Sequence, residues 1–325
     1  MIKKNKPFNV LITGCNGYIG KILCKYIKSS FNDSFIIGVD VVKDVNNIYV
    51  DAMYTNGAGD RKILENFKTH DIDFVFHLGA VASVPDSFLR PSHYYHNNVS
   101  QTIDLINNLN EIEWRGKLVF ASSAGVYYQS NDLYRENHLL GPGHPYGRSK
   151  LMAEAIIEDI SRLSHIDTTV FRFFNVVGAC GEVGDHLDSG HVLQKLCKAA
   201  FNNSEFEMYG TNLNTIDGSC VRDFIDVLDI CEAFIRATDY NKSDVYKVYN
   251  LGTSEGTSVK QLIHMFEEVT GKKINAVECP QRKGDPIFLV ADGSAFAKDA
   301  EFKYQTDLKH SIKTAWDHYQ QSVEK

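Results

Sequence analysis

The sequence predicts an α/β protein built on a Rossmann-type, doubly wound parallel sheet with a second, smaller α+β lobe. Three observations lead there. Short β-branched apolar runs alternate with amphipathic stretches through the first half of the chain. A Gly14-x-x-Gly17-x-x-Gly20 cluster follows the first run directly. After Phe173 the alternation gives way to the Gly-rich stretch 177–186.

The apolar runs at 9–12, 35–39, 48–50, 74–77, 118–121 and 168–173 have the length and composition of strands buried on both faces. Amphipathic patterns at 18–28, 61–68, 92–109 and 146–163 supply the crossover helices. Beyond 176, helices are expected near 191–201, 227–238, 259–270 and 312–321, with strands at 206–209 and 245–250. This gives a first domain over 1–176 and a second lobe over 177–325, with 223–251 a candidate to pack back on the first domain.

Hydrophobic residues make up 43% of the 325 residues and charged residues 23%, without repeats or biased tracts, so the chain should fold throughout. The 34 basic and 41 acidic side chains leave a charge of -7, which offers no footprint for a nucleic-acid backbone. The start is basic, but the apolar run at 8–12 is broken by Thr13-Gly14 and is too short for a signal peptide. No other stretch approaches the ~20 apolar residues of a membrane span, and a soluble, cytoplasmic protein is expected. Seven scattered cysteines without a C-x-x-C pair read as free thiols. His93 and His96 have helical i, i+3 spacing but no further ligands, so no metal is expected.

The glycine cluster sits where a first strand turns into a helix. Glycines there allow a sharp turn, a close approach of backbone N–H groups to a pyrophosphate, and tight helix packing, while the helix N-terminus favours the anion. Asp40 ends the second run about 20 residues further on, where a carboxylate meets ribose hydroxyls and disfavours a 2′-phosphate; the expected cofactor is NAD. Asp51-Ala52, read as closing the third strand, is placed to meet the adenine, although an Asp there is equally a turn former.

Tyr146 and Lys150 are four residues apart and share one face of a helix. Such pairs also occur on surfaces for unrelated reasons. For a tyrosine to act as a base near neutrality its pKa must fall by roughly three units, or roughly 4 kcal/mol, and a buried ammonium has the right sign to supply part of that. Ser122 and Ser123 end the fifth strand at the sheet edge where ligands bind, and a serine hydroxyl there can steady a sugar oxygen as charge develops.

Taken in order, Gly14-x-x-Gly17-x-x-Gly20, Ser122-Ser123-Ala, Pro145-Tyr146-Gly-Arg-Ser-Lys150, Phe173-Phe-Asn175-Val-Val-Gly178, Asp217-Gly-Ser-Cys-Val-Arg222-Asp223, Tyr249-Asn250-Leu-Gly252 and Arg282-Lys-Gly-Asp285 resemble the UDP-galactose/UDP-glucose 4-epimerase family, of the extended short-chain dehydrogenase/reductase superfamily, over nearly the whole chain. The resemblance implies that Tyr146 is the base, Lys150 its electrostatic partner and a ribose ligand, and Ser123 the hydroxyl that orients the sugar. It implies a cofactor site of Gly14, Asn16, Gly17, Tyr18, Ile19 and Gly20 in the turn, Asp40, Asp51 and Ala52 near strand ends, and Leu78 and Ala80 after the fourth strand. Asn98, Ser122, Tyr146, Lys150 and Phe173 complete it. Asn175, His191 and Tyr209 should meet the nucleotide, Arg222 and Arg282 the diphosphate, and Asp285 the uridine ribose. The family also implies a homodimer paired through the two long helices of the first domain.

Two positions depart from the family pattern. Ala82 stands where well-known bacterial epimerases carry a lysine, and Leu289 stands where many members have a tyrosine beside the sugar. Related dehydratases and decarboxylating enzymes keep acidic residues after the fifth strand, where this chain has Ala124 and Gly125. The expected function is NAD-dependent inversion of C4 in a UDP-hexose, with the N-acetyl pair open. The alternatives are another nucleotide-sugar epimerase or reductase, and a non-catalytic NAD-binding sensor.

Overall fold

The computed structural model describes residues 7–44, 47–239, 244–282 and 284–324. Its main sheet has seven strands. In chain order they are β1 (Asn9–Thr13), β2 (Phe35–Asp40), β3 (Ala52–Thr55), β4 (Phe74–His77), β5 (Lys117–Ser123), β6 (Asp167–Phe173) and a last strand, Tyr246–Leu251. Their order in space is Tyr246–Leu251, β6, β5, β4, β1, β2, β3. β1 pairs in parallel with β2 on one side (Thr13 opposite Val39) and with β4 on the other (Thr13 opposite His77). The strand order therefore reverses at the carboxyl end of β1, the place where open α/β sheets bind ligands.

Crossover helices α1 (Tyr18–Ser30), α2 (Leu64–Thr69), α3 (Val84–Leu89), α4 (Pro91–Tyr95), α5 (Gln101–Glu111) and α6 (Pro145–Ser164) accompany the sheet. The strands are apolar on both sides because helices cover both faces: Leu11, Ile37, Val75, Leu118 and Val170 pack with Leu105, Ile106, Leu109 and Ile157 in one core. The predicted helix at 92–109 is interrupted by a π turn, His96–Ser100, which joins α4 to α5. The predicted strand at 48–50 is instead a turn, with Ile48 exposed, and the third strand begins only at Ala52. An apolar, β-branched run alone does not separate a strand from an exposed turn.

Two compact units are formed by the chain. The first comprises Met1–Tyr127, Leu139–Arg172 and Cys231–Tyr249; the second comprises Tyr128–His138, Phe173–Ile230 and Asn250–Lys325. In the second unit a strand at Val221–Asp226 pairs with Asn175–Val177, Gly256–Ser258 and Phe288–Leu289. A parallel pair, Glu205–Tyr209 with Asn275–Cys279, lies beside it in sequence. Helices Val192–Asn202, Val259–Thr270 and Leu308–Val323 close a separate core around Leu196, Phe206, Phe266 and Trp316. No disulfide joins any of the seven cysteines. Among the described residues no helix is long and apolar enough to cross a membrane, and no cluster of three or more metal-ligating side chains is found. His93 Nδ1 instead meets the Asn97 amide at 3.1 Å.

Candidate active site

The turn after β1 requires two of its glycines. Gly14 has φ +71°, and a Cβ on it would lie 2.8 Å from the Gly79 nitrogen. A Cβ on Gly20 would lie 2.0 Å from the Gly14 carbonyl oxygen. The first turn of α1 thus packs directly on the backbone of the loop. Gly17, the residue preceding α1, provides no side-chain cap, so the helix presents its first N–H groups uncapped by a side chain. Asp40 is fixed against this turn: its carboxylate accepts from the Asn16 N–H at 3.0 Å and from the Val42 N–H at 3.0 Å. A tight backbone cradle, a helix N-terminus and a carboxylate at the end of β2 fit a dinucleotide. Tyr18 and Ile19 start α1 in the same turn.

Asp51 and Ala52 fall elsewhere than expected. Because β3 starts at Ala52 and ends with Thr55 opposite Asp40, Asp51 stands at the opposite edge of the sheet from Asp40. Its carboxylate accepts from Lys28 Nζ at 2.6 Å and from the Ile36 N–H at 2.7 Å, anchoring the start of β2. Thr55 is the β3 residue at the level of Asp40, and Asn56 and Gly57 follow it.

The loop after β4 is held by a buried polar chain that the sequence did not reveal. The Thr102 hydroxyl donates to the Asn98 carbonyl at 2.8 Å and therefore accepts from His77 Nε2, also at 2.8 Å. His77 Nδ1 is left to accept from Thr13 Oγ1 at 2.6 Å, and that oxygen accepts the Gly79 N–H at 3.0 Å. Burial, helped by the Lys150 charge, pushes the His77 pKa down to about 3, so this imidazole stays neutral. Asn98 sits in the π turn, a distortion common at functional sites. Its amide grips Val81 through both backbone groups, at 2.9 and 3.0 Å, and donates to Ser149 Oγ at 2.9 Å. Leu78 and Ala80 are carried on the same loop.

Helix α6 begins at Pro145 behind His144, whose ring accepts the Gly147 N–H at 2.9 Å and stacks on Tyr146. Proline at the first helical position is the sequence signal of this helix start. Tyr94 meets Tyr146 edge-on from α4. Ser123 ends β5 beside Tyr146. Lys150, one turn along α6, is buried, donates to the Ala121 carbonyl at 2.7 Å and lies 4.9 Å over the Phe120 ring. Burial raises the Tyr146 phenol above its usual range against the lowering effect of Ser123. Burial likewise lowers Lys150 to about 7, against the raising effect of Glu154. Ser122, between the two strand-end contacts, is buried and donates to the Glu154 carboxylate. Phe173 ends β6 and is buried.

In the second unit, the strand Val221–Asp226 carries Arg222, whose guanidinium reaches Asp285 at 2.6 Å. Leu289 is the register partner of Arg222 on the neighbouring strand. Arg282 lies 3.6 Å over the Tyr209 ring, and the Asp285 N–H returns to the Arg282 carbonyl at 3.2 Å. Tyr209, Arg222, Arg282, Asp285 and Leu289 therefore form one cluster. Asn175 joins through the same strand, donating to the Asp223 carbonyl at 3.1 Å. His191 is less closely tied to this cluster: its ring pairs with Asp185 at 2.8 Å and is largely exposed. One turn further, Lys195 has a pKa lowered by partial burial and by the Arg282 charge, a second cation that no motif announced. The acidic residues of the same segment are structural. Asp223 is buried and accepts from the Thr253 N–H and hydroxyl, both at 2.8 Å, and from the Ser254 and Ala291 N–H groups.

Residues 10–252 match the model of the NAD dependent epimerase/dehydratase family. The chain is 34% identical to a UDP-glucose 4-epimerase of Lactobacillus helveticus, over 94% of this chain and 96% of the relative. It is 31% identical to a UDP-glucose 4-epimerase of Mycoplasma genitalium, over 96% of each. Its fold is similar to the crystal structure of the UDP-glucose 4-epimerase from Stenotrophomonas maltophila with bound NAD and formylated UDP-arabinopyranose. That match has a TM-score of 0.91 and 28% identity, and covers 98% of this chain and 99% of the other.

Proposed function

The chain belongs to the NAD dependent epimerase/dehydratase family, and on that premise we infer that it is an NAD-dependent 4-epimerase of UDP-hexoses, interconverting UDP-galactose and UDP-glucose through a transient 4-keto sugar. The observation that carries this reading is the joint presence, in the unit holding the glycine turn and Asp40, of Tyr146 beside Ser123 with Lys150 buried one turn away. Bound NAD supplies a hydride acceptor and donor for C4 and, when oxidised, a positive ring charge that favours a phenolate. Tyr146 takes the proton of the 4-hydroxyl and returns it once the sugar has turned over. Ser123 hydrogen-bonds the 4-oxygen as it passes between alcohol and ketone. The Lys150 ammonium offsets the upward push of burial on the phenol and donates to ribose hydroxyls.

Arg222 and Arg282 hold the diphosphate as paired guanidinium forks, Asp285 the uridine ribose, and Asn175, His191 and Tyr209 the rest of the nucleotide. Binding energy placed on this unreacting part lets the 4-keto sugar rotate while the nucleotide stays bound. The absence of an acid–base pair at Ala124 and Gly125 argues against dehydration, and Tyr146, Lys150 and Ser123 together argue against a sensor without turnover. To test the reading, the purified protein is denatured, the released cofactor identified, and UDP-galactose conversion followed by chromatography. NAD and UDP-glucose are the expected products; release of NADP, or no conversion, would contradict it.

The substrate range extends to the N-acetyl pair. Leucine at 289 is smaller than tyrosine and offers an apolar wall to an acetyl methyl. Turnover of UDP-N-acetylgalactosamine is therefore expected beside UDP-galactose, and Leu289→Tyr should lower kcat/KM for the N-acetyl substrate selectively. A wild type confined to the unsubstituted sugars, or a variant with unchanged N-acetyl activity, would remove Leu289 from the role of gate.

The enzyme is a cytoplasmic homodimer paired through the helices at 92–109 and 146–163. Val99 and Ile106 are buried within the unit, whereas Ile103, Leu151 and Ile156 remain partly exposed and Met152 and Leu163 are exposed, which supports a second apolar face. Light scattering at micromolar concentration should give twice the chain mass. A monomer mass would count against the pairing.

A further inference from the structure

Three consecutive residues at the end of β5 meet three successive turns of α6. Ser123 lies beside Tyr146, the Ala121 carbonyl accepts from Lys150 at 2.7 Å, and Ser122 donates to Glu154. The helix positions are spaced i, i+4 and i+8, so they line one face. The first two rungs belong to the reaction described above; the third does not touch it. Glu154 is nonetheless deeply buried, with 4% of its side chain exposed, and so is its partner Arg172 on β6. Arg172 Nη2 donates to one carboxylate oxygen at 2.7 Å and Nε to the other at 3.1 Å, while Nη1 donates to the Tyr127 hydroxyl at 3.0 Å. Removing two charges from water is costly, and a buried pair is weak evidence of stability in itself.

We propose that Glu154, held in place by Arg172, is a positioning residue for the epimerase reaction: it locks the register of β5 against α6 and keeps Lys150 as the ammonium that Tyr146 needs. The inference rests on the assignment of Tyr146 and Lys150 above. The groups that act on Lys150 are Glu154, one turn along its own helix, and His77 on β4; Tyr146 stands one turn back on α6, and Arg172 on β6 reaches Glu154. His77 is neutral, and Glu154 is the group of that set that favours the ammonium. Its loss leaves burial unopposed, and the ammonium then gives up its proton at lower pH.

The test uses the NAD-loaded full chain. Glu154→Gln keeps the shape and a hydrogen-bond acceptor while removing the charge. The double variant Glu154→Gln, Arg172→Gln also avoids an unpaired buried guanidinium, in case the single one does not fold. The charge of Lys150 is read by titrating its 13Cε resonance, assigned by its disappearance in Lys150→Met. The midpoint should fall by half a pH unit or more in a folded variant. With UDP-galactose, kcat should fall about tenfold with KM nearly unchanged, and its alkaline limb should move to lower pH. A titration and pH profile matching wild type in a folded variant would overturn the proposal. So would failure of both variants to fold, which would make the pair purely structural. If the wild type turned over no UDP-sugar while the Lys150 midpoint still moved, the functional assignment would fail and the electrostatic link would stand.

Discussion

Replacing Tyr146 with phenylalanine should lower kcat for UDP-galactose by a factor on the order of 10² or more, the usual consequence of removing a general base. The substitution is sparing. The ring that stacks on His144 and meets Tyr94 edge-on is preserved, and only the hydroxyl beside Ser123 is lost. Bound NAD should remain, because the turn at Gly14 and the carboxylate of Asp40 are untouched. A fall in kcat with unchanged NAD content therefore separates loss of the proton acceptor from loss of the cofactor. Activity near that of the wild type would remove Tyr146 from the mechanism.

Gly20→Val should abolish NAD binding. Even a single added carbon at Gly20 would sit 2.0 Å from the Gly14 carbonyl oxygen, 2.8 Å from its carbon and 3.0 Å from Cys15 Cα. All three are backbone atoms, so no side chain can swing aside, and α1 must move off the loop that it helps to shape. Displaced, its N-terminal N–H groups no longer converge with that loop on one anion. Gly143→Ala is the control, since a Cβ there meets nothing within 4 Å. Cofactor released per chain after denaturation is the measurement. A Gly20→Val protein that retains full NAD would show that close packing at this turn is dispensable.

The sequence reading succeeded where burial and chemistry run with chain order. The apolar strands of the main sheet were found to within a residue or two because helices cover both faces, leaving no polar alternation to confuse them. The turn at 48–50 deceived for the complementary reason. It is apolar and β-branched yet exposed, and it is tied down instead by Asn47, whose amide donates to the Cys15 carbonyl at 2.9 Å. Val221–Asp226 was not read as a strand because Arg222, Asp223 and Asp226 interrupt its apolar residues, although all three are buried. Strands that carry site residues and hydrogen-bonded carboxylates break the patterning rules on which such reading depends.

The same limit applies to the site. Tyr146 and Lys150 were legible because four residues make one helical turn. Arg172 and Glu154 are 18 residues apart on different elements, and His77 reaches Thr13 and Thr102 across 64 and 25 residues. No local spacing encodes such partners. They come together only through the sheet order that sets β1 beside β4 and β5 beside β6.

On the proposed mechanism, C4 is inverted by hydride leaving and returning within one bound complex, while Tyr146 handles only the hydroxyl proton. UDP-galactose deuterated at C4, incubated in ordinary water with the purified enzyme and no added reductant, tests it most directly. The account predicts UDP-glucose that keeps the deuterium at C4, with no lasting rise in absorbance at the wavelength of the reduced cofactor. Loss of the label to solvent, or steady accumulation of reduced cofactor with an oxidised sugar, would contradict it.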